Sequence, residues 1–443
     1  MTNMLIQFSV SNFLSFKDKI TFSLVKSALK DKKIGSDNNY TDLPELKTQI
    51  LTSAVVYGAN ASGKSNLVSA LNFFKKFISR SALSVEAEGI EFKNFALSSE
   101  TENSPSEFEI VFVTPEHQYT YGFQINKSFV YAEWLYQKEL KPRTKEIELF
   151  YREKQSFKDM HEKFMVSKEL IDKNMIRPNA LLLTVSAQFN NAIAQEIVRW
   201  LAKLNVISGN KDKAYRNYTI SQLKEPLMSE LILKMTQFAD LGIDDIKLNA
   251  SGSEVDAFLN ADGSNNDLSK EKKRSILNSF HVKYDSALKE SGLASFSFFE
   301  DESEGTIKYF SLAGPIINTL ENGSILFIDE LDSKLHPLLT QSIINLFNNK
   351  KSNPKNAQLV FTTHDTNLLN AHIFRRDQIW FVQKNRYGST ELYSLADYKV
   401  RNDASFEKDY LSGKYGAIPI INDFSKLFDK PVSKIIHNGG TDI

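Results

Sequence analysis

The sequence has no cysteine among its 443 residues. That excludes disulfides and thiolate metal sites, and it fits a reducing compartment such as the cytosol. A surplus of either charge is also missing, because 54 basic and 54 acidic side chains give a formal net charge of zero. Overall charge therefore gives no pointer to nucleic acid, although local patches stay open. No stretch approaches the roughly 18 to 20 apolar residues that a membrane span needs, so no membrane partner is expected. The start, Met1-Thr2-Asn3-Met4, lacks the basic-then-apolar pattern of a secretory signal, and a cytoplasmic location is expected. No internal repeat, low-complexity tract or sustained heptad is present. What is abundant is phenylalanine, with 32 copies in a chain that is 42% hydrophobic and 24% charged. These values predict a large packed core, and the length suits roughly two or three domain-sized units.

The pattern along the chain changes several times. Leu5, Phe8 and Val10, then Ile20, Phe22 and Leu24, alternate as two short strands around Asn12-Phe13-Leu14-Ser15-Phe16. Residues 26–47 are polar and predict an exposed connection. The apolar run 50–57 predicts the first buried strand. Leu67, Ala70, Leu71, Phe74 and Phe77 then recur at helical spacing. Residues 106–152 are aromatic and turn-punctuated, as in an antiparallel meander. Residues 188–290 are mostly helical in pattern. From 303 onward strands alternate with helices, which implies a mostly parallel sheet shared with the run 50–57. The expected organisation is therefore an α/β chain with an N-terminal half over 1–187, a helical insertion over 188–295, and a C-terminal half over 296–443.

Four motifs carry chemistry. Gly58-Ala59-Asn60-Ala61-Ser62-Gly63-Lys64-Ser65 is a G-x-x-x-x-G-K-[ST] loop between a strand and a helix, the arrangement that holds nucleotide phosphates. Its glycines let backbone N–H groups wrap an anion, Lys64 reaches the β- and γ-phosphates, and Ser65 ligates Mg²⁺. Gly58, Asn60, Gly63, Lys64, Ser65 and Asn66 are the expected ATP contacts. Second, Ser324-Ile325-Leu326-Phe327-Ile328 runs straight into Asp329 and Glu330 at a strand's C-terminal end. Asp329 is expected on the Mg²⁺ shell, and Glu330 as the base for the attacking water. Third, His364 closes the strand Phe361-Thr362-Thr363 and can polarise the γ-phosphate. Fourth, Ser303-Glu304-Gly305-Thr306 opens a helix. Ser303 suits an N-cap, and the same geometry also suits an anion site.

In this order the motifs resemble the ABC/SMC-type ATPase head, and most closely the OLD-like and stand-alone abortive-infection (phage-defence) ATPases. The residues carrying that resemblance are Glu304-Gly305-Thr306, Ile328-Asp329-Glu330-Leu331-Asp332, Leu335-His336-Pro337, Arg376-Asp377-Gln378-Ile379-Trp380-Phe381 and the opening Asn12-Phe13-Leu14-Ser15-Phe16. The resemblance implies an ABC-type P-loop NTPase head with an N-terminal antiparallel β subdomain and a helical insertion. It implies two heads facing each other across two ATPs, with Ser303 and Gly305 touching the partner's nucleotide and Asp332 communicating across the dimer. Asp332 also reads as an N-cap for a helix beginning near Lys334. The family's glutamine on the Mg²⁺ shell has one candidate, Gln188, after what reads as an apolar strand; a plain polar loop residue is the other reading. Ser303-Glu304-Gly305-Thr306 departs from the fuller Leu-Ser-Gly-Gly wording of transporters.

What the ATP serves divides two ways. One reading is a slow ATPase, the sensor and scaffold of a defence system, which dimerises or assembles further and controls a separate nuclease or toxin effector. The other is a RecF-like clamp on DNA in repair. The OLD nucleases carry a metal-dependent domain after the head. Only 79 residues follow His364, with no cluster of acids at metal-ligand spacing, so no intrinsic nuclease is expected. The basic runs Lys270, Lys272, Lys273, Arg274 and Lys211, Lys213, Arg216 read first as solvated faces. Residues 410–419 resemble the C-terminal wording of the stand-alone defence ATPases and also suit a segment packed on the head.

Overall fold

The structure is a computed structural model that describes residues 3–29, 39–82, 89–158, 160–209, 212–239, 241–249, 276–401 and 404–419, with Val255, Leu259 and Phe424. The N-terminal region supplies β1 (Met4–Ser11), β2 (Ile20–Ser23), β3 (Tyr40–Leu43), β4 (Thr48–Leu51) and β5 (Ser53–Tyr57). The run 50–57 expected as one strand is therefore two. The chain breaks at Thr52, whose N–H leaves to Asn39 O at 2.9 Å, and β4 pairs with β3 instead.

The meander follows as β6 (Ser106–Val113), β7 (His117–Ile125), β8 (Val130–Glu139), β9 (Ile147–Glu153) and β10 (Ser156–Phe157). With β1 and β2 it makes one antiparallel sheet in the order β10-β9-β8-β7-β6-β1-β2. Phe108, Ile110 and Phe112 point inward from β6 and are fully buried, while Glu107, Glu109 and Val111 are not, the period-2 alternation of a sheet with one covered face.

The rest of the chain adds β11 (Leu204–Ser208), β12 (Asp245–Leu248), β13 (Leu277–Tyr284), β14 (Glu290–Ser297), β15 (Ile325–Asp329), β16 (Gln358–Thr362), β17 (Ile379–Lys384) and β18 (Thr390–Ser394). A second sheet runs β11-β15-β16-β5-β17-β18, parallel except for β18. β5 and β16 are buried along their whole length, as the continuous apolar runs of a doubly covered parallel sheet should be. The N-terminal strand β5 lies between the C-terminal strands β16 and β17, so the sheet is shared by both halves as expected.

The helix Lys64–Arg80, here the P-loop helix, fills the space between the two sheets. Phe74 meets the rings of Phe8 at 5.8 Å and Phe123 at 5.2 Å from the antiparallel side. The same core takes in Ile325, Phe327 and Val360 from the parallel side. The other face of the parallel sheet, with Leu326, Ile328, Leu359 and Phe361, packs on the helices Glu304–Asn322 and Pro337–Asn348. Among the described residues no helix is long and apolar enough to cross a membrane.

Two expectations fail in the middle of the chain. The apolar run before Gln188, read as a strand, belongs to the helix Leu182–Gln188. The buried carboxylate of Glu133 accepts from Leu182 N–H at 2.7 Å and Leu183 N–H at 3.0 Å and so caps that helix. The region 188–295 is not a purely helical insertion either. It holds the helices Ala192–Ala202, Lys213–Gln222 and Pro226–Phe238, yet it also supplies β11 to the parallel sheet and the separate antiparallel sheet β12-β13-β14. Lys211 and the run Lys270, Lys272, Lys273, Arg274 lie outside the described residues. At the C-terminal end, Tyr410 and Tyr415 pack on Phe381 at 5.5 and 5.8 Å, so residues 410–419 do rest on the head.

Candidate functional site

Because β5, β15 and β16 are parallel neighbours or next-neighbours, Tyr57, Asp329 and Thr362 end at one edge of the sheet. The loop after β5 turns through Ala61 at φ +60° and Gly63 at φ +118° before the P-loop helix begins. Gly63 is needed on two counts: its backbone is left-handed, and a Cβ there would lie 2.5 Å from Thr390 Oγ. Lys64 is 5% exposed and curls back over the loop, its Nζ donating to Gly58 O at 2.7 Å and Ala59 O at 3.1 Å. Burial pulls its pKa down to about 8, partly offset by Asp329, Glu330 and Asp332. Within the same loop Ser62 Oγ is buried with no hydrogen-bond partner among the described residues.

The loop is braced from behind. Thr390 Oγ lies 2.7 Å from Ser62 O and 2.8 Å from Ser15 Oγ, and Asn66 Nδ2 donates to Ser15 Oγ at 2.6 Å. The single proton of the Thr390 hydroxyl is shared between these two acceptors, the Ser62 carbonyl and the Ser15 hydroxyl. Thr390 N–H also donates to Ser15 O at 2.7 Å. The opening Asn12-Phe13-Leu14-Ser15-Phe16 thus braces the phosphate loop, a role its wording alone did not assign.

Thr362 fixes the acidic pair. Its hydroxyl donates to Asp329 Oδ1 at 2.7 Å and accepts from Glu330 N–H at 2.8 Å. Glu330 turns the chain sharply, at φ +56°. The N–H of His364 donates to Asp332 Oδ2 at 3.4 Å. Burial and then the charge of Lys64 lower the His364 pKa, against the pull of Asp332, Glu330 and Asp329. Burial and the loop lysine thus both favour the neutral ring.

Ser303 caps the helix Glu304–Asn322, its Oγ accepting from Thr306 N–H at 3.1 Å. The Ser303–Gly305 loop adjoins the turn after Glu330, where Lys334 Nζ lies 3.3 Å from Glu304 Oε2. Asp332 is not a helix cap. The next helix begins at Pro337, with His336 Nδ1 accepting from Leu338 N–H at 3.2 Å. Asp332 Oδ1 is buried and unpartnered among the described residues.

Gln188 is not brought to this edge. It lines a cavity of about 500 Å³ with Ile78 and Ser79, at the far end of the P-loop helix. Seventeen residues separate the ends of that helix by about 25 Å. The apolar run before Gln188 became a helix against the antiparallel sheet, so it points the glutamine elsewhere.

The arrangement fits ATP with Mg²⁺. A phosphate-cradling loop holds a free hydroxyl and a partly desolvated ammonium. Ser65, exposed at the start of the P-loop helix, and Asp329, with acceptor capacity beyond its single bond from Thr362, offer the few hard oxygens that Mg²⁺ takes from a protein when phosphates and water complete its shell. Among the described residues no group of three or more acids or histidines could hold a metal by itself.

A protein-family profile described as "AAA domain, putative AbiEii toxin, Type IV TA system" matches residues 53–370. No curated protein sequence matches the chain. Similar solved structures include the SMC head domain from Thermotoga maritima, at 13% identity and a TM-score of 0.36, covering 89% of this chain and 99% of that one. An SMC head bound to the C-winged helix domain of ScpA is 14% identical with a TM-score of 0.36, covering 88% and 97%. The recombination mediator protein RecF with ATP is 12% identical with a TM-score of 0.29, covering 88% and 98%.

Proposed function

Because the chain belongs to the family described as "AAA domain, putative AbiEii toxin, Type IV TA system", we propose that it is the sensor and scaffold of an anti-phage defence system, an ABC/SMC-type ATPase that controls a separate effector through ATP-dependent dimerisation. The observation that carries this reading is the division of the site. Gly58–Asn66, Asp329, Glu330 and His364 converge on one sheet edge, whereas Ser303 and Glu304 are exposed where a neighbouring loop enters the helix Glu304–Asn322, joined to that edge through the turn at Asp332–Lys334. That loop offers a helix N-terminus and a hydroxyl to an anion arriving from outside. A second copy bringing its own bound nucleotide fits that requirement.

In this reading the phosphate loop and Lys64 bind and orient ATP, with Gly58, Asn60, Gly63, Ser65 and Asn66 around them. Ser65 and Asp329 would hold Mg²⁺, which would supply charge neutralisation to the phosphates. Glu330 takes the proton of the attacking water, and neutral His364 donates to the γ-phosphate. Ser303 and Gly305 of the second chain complete the phosphate's donors. Turnover is slow because it waits on dimer closure, and closure holds or releases the nuclease or toxin effector.

Glu330→Gln keeps the shape and removes the base. The expected result is ATP binding with hydrolysis cut by about a hundredfold or more, together with a stable ATP-dependent dimer in size-exclusion chromatography with light scattering. Normal turnover by this variant would refute the assignment of the base, and a monomer at saturating ATP would refute the two-headed site.

A further inference from the structure

Lys308 has no place in the chemistry described so far. It lies three residues past Gly305 in the helix Glu304–Asn322 and is only 2% exposed. Its Nζ donates to Gly209 O and to Tyr215 OH, the latter at 2.8 Å, and no carboxylate hydrogen-bonds to it among the described residues. Burial lowers its pKa to about 8. A cation placed this way costs more than an apolar side chain of similar volume would. What it holds explains why it is there. Gly209 follows β11, and its N–H donates to Asp329 O at 2.5 Å. A Cβ on Gly209 would overlap the carbonyl oxygen of Glu330. Tyr215 OH donates to the same Gly209 carbonyl at 3.3 Å, so both side chains converge on one peptide group.

The geometry points to Lys308 as a positioning residue: it ties the Ser303–Gly305 loop of a chain to the Asp329–Glu330 turn of that same chain. A helix moves as a rigid body over its first turns, so a shift of the Ser303–Gly305 end carries Lys308 with it. Gly209 follows through the hydrogen bond, and the backbone of Asp329 and Glu330 is in contact with Gly209 without any side chain between. Nucleotide on the second chain, engaging Ser303 and Gly305, therefore sets the aim of Glu330 toward the first chain's own ATP. The two sites of a dimer become coupled in hydrolysis, with each chain's catalytic carboxylate ready only when its Ser303–Gly305 loop is engaged.

This inference rests on the two-headed reading, and mixed dimers separate the two. Differently tagged chains are co-purified so that one chain carries Glu330→Gln and the other supplies the single working base. In one arrangement Lys308→Met is placed on the chain with the working Glu330; in the other it is placed on the Glu330→Gln chain. The two contain the same substitutions, so losses of folding cancel. The expected result is a fall in kcat of about tenfold or more in the first arrangement, with unchanged ATP affinity, and activity within about twofold of the Glu330→Gln mixed dimer in the second. Lys308→Arg on the working chain should restore much of the loss. Equal losses in both arrangements, or loss only in the second, would overturn the proposal and make Lys308 a support of the Ser303–Gly305 loop alone. Failure of the chains to form mixed dimers with ATP would overturn it together with the two-headed reading, whereas full activity of the double Glu330→Gln dimer would indict the base.

Discussion

The phosphate-binding role proposed for Lys64 meets a shortage of water. The same burial that orders its side chain over Gly58 and Ala59 brings its pKa down to about 8. Phosphate requires the ammonium form, and bound phosphate would raise the pKa again. The sign follows: affinity for ATP is full below the free-chain value and declines as pH rises through it, until the bound-state value is reached. ATP affinity should weaken by about tenfold between pH 7 and pH 9, measured by calorimetry at constant Mg²⁺ and ionic strength. Lys64→Arg, charged throughout, should lose that dependence even if it binds less well. A flat profile for the unaltered chain would show that Lys64 stays charged in the free site. This residue was plain in the sequence because the loop's members are consecutive. Asp329 and Glu330 were plain for the same reason. Ser15 and Thr390 brace the loop from positions 375 residues apart, and nothing in either local pattern announces the other. Thr362 stood inside a motif already noted, but its hydrogen bonds to Asp329 and Glu330 exist only once β15 and β16 pair.

At the level of elements, long periodic segments were legible and short apolar ones were not. β6 to β9 and the P-loop helix each repeat one period over several turns or pleats. The run Leu181-Leu182-Leu183 with Val185 is too short for its period to separate a strand from a buried helix. Glu133 decides it, because a buried carboxylate on β8 satisfies the first N–H groups of Leu182–Gln188. Glu133 also accepts from Tyr121 OH at 3.0 Å and lies 3.5 Å from Arg152 Nε, with both charged side chains fully buried. Removing one partner leaves the other charge stranded. Glu133→Leu should therefore destabilise the chain by about 3–5 kcal/mol in urea unfolding, while adding Arg152→Leu should recover a large part of that. If the single and double variants were equally unstable, the carboxylate's capping bonds, and not its pairing with Arg152, would hold that junction. The stretch 188–295 misled for a different reason. β11 is only five residues long and, among the described residues, is paired on one side alone, with β15, so its membership in the parallel sheet was set by a neighbour more than a hundred residues away.

For the whole molecule the question is whether one chain can complete its own site. The phosphate loop and acidic pair lie at the sheet edge, and the Ser303–Gly305 loop is presented outward beyond the Asp332–Lys334 turn. Two chains arranged about a two-fold axis would each lend that loop to the other's nucleotide, giving two equivalent sites per dimer. Complementation tests this directly. Lys64→Ala removes nucleotide binding but leaves Ser303 intact, and Ser303→Arg blocks the outward loop but leaves the phosphate loop intact. Each variant alone should be inactive. Mixed in equal amounts, half of the dimers are hybrids, and each hybrid holds one site with an intact phosphate loop facing an intact Ser303. The mixture should recover about a quarter of the unaltered turnover if the two sites work independently. The coupling assigned to Lys308 lowers that figure, because the chain with the working Glu330 carries the blocked loop. Any recovery above both parents shows a site completed by the second chain. Its complete absence, with hybrids present by native mass spectrometry, would mean either that hydrolysis happens within a single chain or that engagement of both loops is obligatory. Activity of Ser303→Arg on its own separates these, since only a self-contained site survives that substitution.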